Sequence, residues 1–254
     1  MNLYKRIRIW YSVIKTFILT FNGVDGYIYS AEDTVAELLK KRGLIRFGDG
    51  EFGIYRGKDI HYQRWSQELK EAFEKIKRDY EREAQHSPYL LAVPQKFMTV
   101  SGFRLIKKRV YVSSWSESRY DFKKNFRHDI PYGDAFLFEK DNKDIYSKIW
   151  RNDTCPEHVI FVHNSEKYAK LFADTFEKAV TFIACPSKDA FEVVDELEQK
   201  IQGIIKKNKW NADDFIVTIS AGPAGKVLVY RLSKCGFWCI DAGHCWDEPL
   251  EGIE

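Results

Sequence analysis

The sequence predicts an α/β fold: a Rossmann-like, three-layer domain with a mostly parallel sheet, preceded by an amphipathic helix. Three observations carry this. Over roughly the last hundred residues, short apolar runs alternate with helix-length amphipathic segments, the pattern of βαβ units. The runs at 158–162, 180–184, 214–219 and 237–240 are nearly continuous in apolar character, as strands buried on both faces are. The chain has 254 residues and is 44% hydrophobic, enough for one sizeable core or two small lobes around a cleft.

Taken in order, residues 1–21 place Leu3, Ile7, Trp10, Ile14, Phe17 and Phe21 at alternating spacings of four and three, with Lys5, Arg8 and Lys15 off that stripe. This is an amphipathic helix. Lys15 interrupts the apolar stretch and no small-residue cleavage site follows, which excludes a signal peptide. The lack of an uninterrupted apolar run excludes a membrane span. Two placements stay open: on an anionic membrane surface or a partner subunit, or packed on its own domain. Residues 1–30 are accordingly divided off as helix and linker, and 31–254 as the domain.

Ser30 can cap a helix over 31–42 with Val35, Leu38 and Leu39 inward and Gly43 at its end. A strand is expected at 44–47, a charged helix at 66–85 with Leu69, Phe73, Ile76 and Tyr80 on one face, and a strand at 89–93 ended by Pro94. Residues 95–134 mix basic and aromatic side chains; a strand at 109–113 and an acceptor-side lobe are the expectation there. A strand at 135–139 and a helix at 143–151 follow. Helices at 166–178, 189–206 and 223–233 then separate the late strands.

Composition narrows the function. A charged fraction of 30% with net charge +3 argues against nucleic acid as a partner. Aromatic residues, 15% of the chain, offer stacking platforms. The five cysteines are odd in number and read as reduced thiols of a cytoplasmic protein, peripheral at the inner face of a membrane if the first helix docks there. Cys235, Cys239, His244 and Cys245 lack the spacing of a paired zinc site and are set aside as core or inert thiols.

Three segments put unusual residues where ligands bind, beyond the carboxyl ends of strands. In Arg46-Phe47-Gly48-Asp49-Gly50-Glu51, two carboxylates stand two residues apart with glycines around them. In extended backbone they point to one side. They can then hold one hard cation, Mn²⁺ or Mg²⁺, with places left for phosphate oxygens, and Arg46 can add a contact to phosphate. The alternative is a solvated acidic turn. Ser220-Ala221-Gly222-Pro223-Ala224-Gly225-Lys226 joins a strand to a helix whose free amides can take a phosphate, or is a turn built for close packing. Lys226 either assists or faces solvent. Asp241-Ala242-Gly243-His244 follows the last strand. Asp241 could bind a ribose hydroxyl or orient His244, which could contact a diphosphate, ligate metal or move a proton.

These segments, in this order, resemble the GT-D-type bacterial glycosyltransferases, from about Ala31 to Trp246. Arg46 to Glu51 looks like that family's Asp-x-Glu segment. Cys185-Pro186-Ser187-Lys188-Asp189-Ala190-Phe191 is similar to its Pro-Ser-x-x-Ala-Phe stretch, and Gly222-Pro223-Ala224 and Asp241-x-Gly-His244 resemble its closing segments. His163-Asn164-Ser165-Glu166-Lys167 replaces a glycine- and acid-rich stretch of many members. The resemblance implies a nucleotide-sugar donor (a UDP-sugar), a divalent metal, a glycan or glycoprotein acceptor, and work in surface polysaccharide or glycoprotein assembly. Asp49 and Glu51 would bind metal and donor, with Arg46, Gly48, Gly50, Ser187, Gly222, Pro223, Ala224, Asp241 and His244 around the nucleotide.

The expected chemistry is hexosyl transfer through an oxocarbenium-like transition state, with Glu51 accepting the acceptor's proton. Asp49→Asn and Glu51→Gln are each expected to abolish transfer and spare the fold. The rival readings are a Rossmann-type S-adenosylmethionine-dependent methyltransferase and a non-catalytic subunit of a glycan assembly complex. A homo-oligomer is left open.

Overall fold

A computed structural model describes residues 3–107 and 112–243. Among them, eight strands form one sheet: β1 (Tyr27–Ile28), β2 (Gly43–Arg46), β3 (Tyr89–Val93), β4 (Pro131–Asp134), β5 (His158–His163), β6 (Ala179–Ala184), β7 (Phe215–Ile219) and β8 (Cys239–Asp241). They lie in the order β1-β4-β3-β2-β8-β7-β5-β6, and every pairing is parallel. All residues of β3 and β7 are buried, which explains their uniform apolar character. The connecting helices are α1 (Leu3–Leu19), α2 (Ala31–Leu38), α3 (Asp49–Tyr55), α4 (Gln67–Arg82), α5 (Gln95–Met98), α6 (Gly102–Lys107), α7 (Val112–Asn125), α8 (Lys143–Trp150), α9 (Glu166–Phe176), α10 (Val194–Asn208) and α11 (Pro223–Lys234).

The order of strands creates the site. From β2 the chain steps outward through β3 to β4. It then crosses to lay down β5 and β6, and returns inward to place β7 and β8 beside β2. β2 and β8 meet through the single register pair Leu44↔Ile240. Here the winding reverses, and in such sheets the crevice for a ligand opens above this point. Helix α11 packs over both strands, with α4 and α10 beside it.

Ser30 caps α2 as expected, accepting the Asp33 amide, and Ser66 caps α4 through the Leu69 amide. Several boundaries differ. Gly43 opens β2 instead of closing a helix, because Lys41 takes the left-handed turn at φ 61°. Of the strand expected at 109–113, Val112 and Ser113 instead open α7; residues 108–111 lie outside the described residues. The strand expected at 135–139 sits earlier, at Pro131–Asp134, and Ala135 to Glu139 instead turn over the sheet's carboxyl edge. Tyr27–Ile28, within the expected linker, are the edge strand paired with Pro131 and Tyr132.

Helix α1 docks on its own domain, against α7. The docked side is largely polar. Val13, Thr16 and Thr20 are buried, and the Ser12 hydroxyl donates to Glu117 at 3.1 Å. The buried Arg119 guanidinium donates to the carbonyls of Thr20 and Val100, and Lys123 to that of Leu19. Burial pulls the Arg119 pKa down to about 10. The expected apolar stripe therefore does not face the domain as one unit: Phe17 turns in, while Ile7, Trp10 and Ile14 look outward.

Candidate active site

The carboxyl ends of β2, β5, β6, β7 and β8 surround a cavity of about 1050 Å³. That is at the upper end for ligand sites.

Beyond β2, the stretch read as extended is instead the first turn of α3. Gly48 is its N-cap, and Glu51 reaches back so that its Oε2 accepts the Gly48 amide at 2.8 Å. Phe52 and Ile54 bury their side chains below. On a helix, positions i and i+2 diverge, so the two carboxylates part company. Asp49 looks into the cavity and makes no hydrogen bond or ion pair among the described residues. Glu51 turns inward and is buried.

What receives Glu51 is Lys226, which the sequence left between assisting and facing solvent. It is buried, with its Nζ 3.1 Å from Glu51 Oε1 and 3.1 Å from Asp241 Oδ2. The same Asp241 oxygen accepts the Arg46 backbone amide at 3.2 Å, and Arg46 Nη2 stands 3.8 Å from Asp241 Oδ1. Arg46 also donates to the Ala135 carbonyl at 3.0 Å and lies 5.6 Å from the centre of the Phe138 ring. Two cations and two anions thus interleave at the reversal point. Burial opposes the Lys226 charge, but Asp241 and Glu51 together outweigh it and hold the ammonium well above the usual lysine range. Burial and the Glu51 charge push the neighbouring Tyr62 hydroxyl up to about 12.

The second segment turns from β7 into α11. Gly222, at φ 53° and ψ −135°, is the N-cap of α11, and Pro223 opens the helix. Ser220, Ala221, Gly222 and Pro223 line the cavity, so a 12-residue helix aims its free amides into it. A side chain at Gly222 would come within 2.9 Å of the Tyr62 ring. Ala224 is fully buried behind this turn and does not reach the cavity.

Asp241 is likewise fully buried. It orders Arg46 and Lys226 rather than facing a ribose. His244 lies outside the described residues. Ser187 lines the cavity beside Pro186, as do Gly48 and Gly50. Gly243 does too, at φ 57°, and a Cβ there would overlap the Arg46 guanidinium. Gly243→Ala is expected to displace Arg46 and to cost on the order of 1–3 kcal/mol of stability; urea unfolding measures the effect.

The sequence reading missed several wall residues. His163 and Asn164 close the end of β5, and the His163 Nδ1 accepts the Ser165 amide at 2.9 Å. The segment around Tyr62 is tied across to the turn after β6. The Arg64 amide and Nε donate to Asp189 at 2.7 and 3.0 Å, and Gln63 accepts the Phe191 amide. Neither partner signals the other in sequence, since they are 125 residues apart.

A divalent cation fits this donor set on one carboxylate, not two. Asp49 is free, whereas Glu51 shares its oxygens with the Gly48 amide and Lys226. Among the described residues no three His, Cys, Asp or Glu side chains gather at one point. Mg²⁺-type sites commonly use one or two carboxylates and leave the rest to substrate phosphates and water.

A parallel sheet with a helix N-terminus and a charged floor at its reversal point defines a doubly wound α/β protein with its crevice at the switch point. The chain belongs to the glycosyltransferase GT-D fold family, which matches residues 44–249. It is similar to glycosyltransferase GlyD of Streptococcus pneumoniae, 27% identical over 215 residues, covering 79% of this chain and 24% of that protein. It is also similar to the probable glycosyl transferase Gly of Streptococcus gordonii, 21% identical over 232 residues, covering 85% and 32%. The chain thus spans about a quarter to a third of the length of these curated relatives. Among solved structures, a glycosyltransferase from Streptococcus sanguinis superposes with a TM-score of 0.71 at 22% identity, covering 89% of this chain and 84% of that one. A domain of unknown function described as having a distinct glycosyltransferase fold gives 0.67 at 20% identity, covering 96% and 84%. These two likenesses establish the fold.

Proposed function

We propose that the chain transfers a hexose from a nucleotide-sugar donor, a UDP-sugar, to a glycan or glycoprotein acceptor in surface glycan assembly. One observation carries the reading: the α11 N-terminus, the Lys226–Arg46 cations and the free Asp49 carboxylate converge on one cavity. The amides of the Gly222 turn and the helix dipole bind diphosphate oxygens. Lys226 and Arg46, preorganised by Asp241, face the negative charge that grows on the departing nucleoside diphosphate. The sugar passes through an oxocarbenium-like state. Glu51, the expected base, is held by Gly48 and Lys226, so Asp49 is the carboxylate available to the reacting groups. Mn²⁺ or Mg²⁺, held by Asp49 and donor phosphate, would supply further neutralisation of the leaving group.

Thermal shift tests this directly. UDP at about 100 times its Kd adds ~2.7 kcal/mol, a rise of roughly 5 °C or more for a domain of this size. Mn²⁺ should enlarge the shift, and S-adenosylmethionine should give none. A shift with S-adenosylmethionine and none with UDP sinks the proposal in favour of the methyltransferase.

A further inference from the structure

Helix α1 is fastened by its polar side, and its opposite side is open. Ile7, Trp10, Ile14 and Ile18 are 60, 65, 54 and 66% exposed, and their spacings of three and four put them on one face. Helix α6 extends this surface. Phe103 is 69% exposed, with its ring 5.0 Å from Phe21, and Ile106 is exposed beside it. The Gly102 amide donates to the Phe21 carbonyl at 2.5 Å, which fixes α6 against the end of α1. Single exposed apolar side chains are ordinary; a contiguous set of six is not.

These two segments carry charge of one sign in sequence. Residues 1–21 contain Lys5, Arg6, Arg8 and Lys15 and no acidic residue; residues 102–109 contain Arg104, Lys107, Lys108 and Arg109 and again no acidic residue. The whole chain is only +3, so the basic excess is concentrated in these two segments of the sequence. Lys15, Arg104 and Lys107 are exposed.

We propose that α1 and α6 form a docking face for an anionic lipid bilayer, α1 lying in the headgroup boundary with Trp10, Ile14, Ile18 and Phe103 immersed. Aromatic and branched apolar residues on one face with a basic surround are the composition of an interfacial helix. Among the described residues no helix is long and apolar enough to cross a membrane, so α1 lies on the surface. A second copy of the chain is a poorer occupant, because a two-fold contact would press this basic patch against itself. Ile9 and Val13 of the same helix line the cavity, which sets the cavity wall at the bilayer surface. If the proposed transfer reaction holds, the acceptor suited to this arrangement is a saccharide presented from that surface.

Flotation of the full chain with vesicles of phosphatidylcholine, with and without phosphatidylglycerol, tests the proposal. The chain is expected to float with the anionic vesicles only, and less as salt rises. The variants Trp10→Ser/Ile14→Ser/Ile18→Ser and Lys15→Glu/Arg104→Glu/Lys107→Glu should each reduce the bound fraction at least about tenfold. Their unfolding midpoints and UDP-induced thermal shifts should match the parent, so misfolding and a failed catalytic reading are both distinguishable. Absence of binding to anionic vesicles, equal binding by either variant, or a concentration-dependent dimer that the apolar variant abolishes would each overturn it.

Discussion

Lys226→Met is expected to abolish sugar transfer and to lower stability by about 3–5 kcal/mol, the cost of removing one partner from a buried ion pair. The ammonium stands 3.1 Å from both Glu51 and Asp241, and neither carboxylate is open to solvent. Without it, Glu51 loses its ion-pair partner, and Asp241 keeps only the Arg46 guanidinium at 3.8 Å among the described residues. Lys226 is held above its ordinary value of 10.5, so its contribution is complete below that pH and is lost only as pH climbs through the raised folded-state value. Urea unfolding of both proteins at neutral pH and above pH 10.5 measures this; a variant as stable as the parent at neutral pH removes the quartet from the account of the fold.

Asp49→Asn should lose at least about a hundredfold in kcat/KM, the scale for a group that meets charge developing in the transition state. Its unfolding should stay within ~0.5 kcal/mol of the parent, as for surface changes that break no contact. Glu51→Gln should differ. Its amide oxygen can still accept the Gly48 amide, but the charge opposite Lys226 is gone, so ~1–3 kcal/mol of stability should go with the activity. The sequence led us to expect both variants to fold normally; burial of one carboxylate separates them. UDP release with parallel unfolding curves decides the matter. Equal stability of the two variants refutes the division of labour, and full activity in Asp49→Asn refutes its place in the site.

The legible half of the fold is the half where local pattern and burial agree. β5 through α11 alternate apolar strands with one-sided helices, so residues such as Phe172, Leu197 and Ile201 announced their own burial. α3 was hidden because Gly48, Gly50 and Gly53 depress helix propensity; what holds it is the Glu51 bond to Gly48 and the burial of Phe52. α5 to α7 were hidden because their packing partners, Phe97 on Trp115 and Arg119 on Thr20, are tertiary. At the site, glycine and proline marked the turns. The role of Lys226 did not show, since a lysine three residues beyond Pro223 can equally assist a ligand or face solvent until Glu51 and Asp241 are brought to it by segments far apart in sequence.

The place of β8 bears on how a ribosome delivers this protein. That strand fills the slot between β2 and β7, yet it is synthesised after both, and after the other strands of the sheet. Until it emerges from the exit tunnel, the nascent chain holds two apolar strand edges open in mid-sheet, the condition under which folding intermediates pair wrongly or aggregate. Asp241 arrives with it, so the charge pairing of Lys226 and the closure of the sheet are completed in one late step.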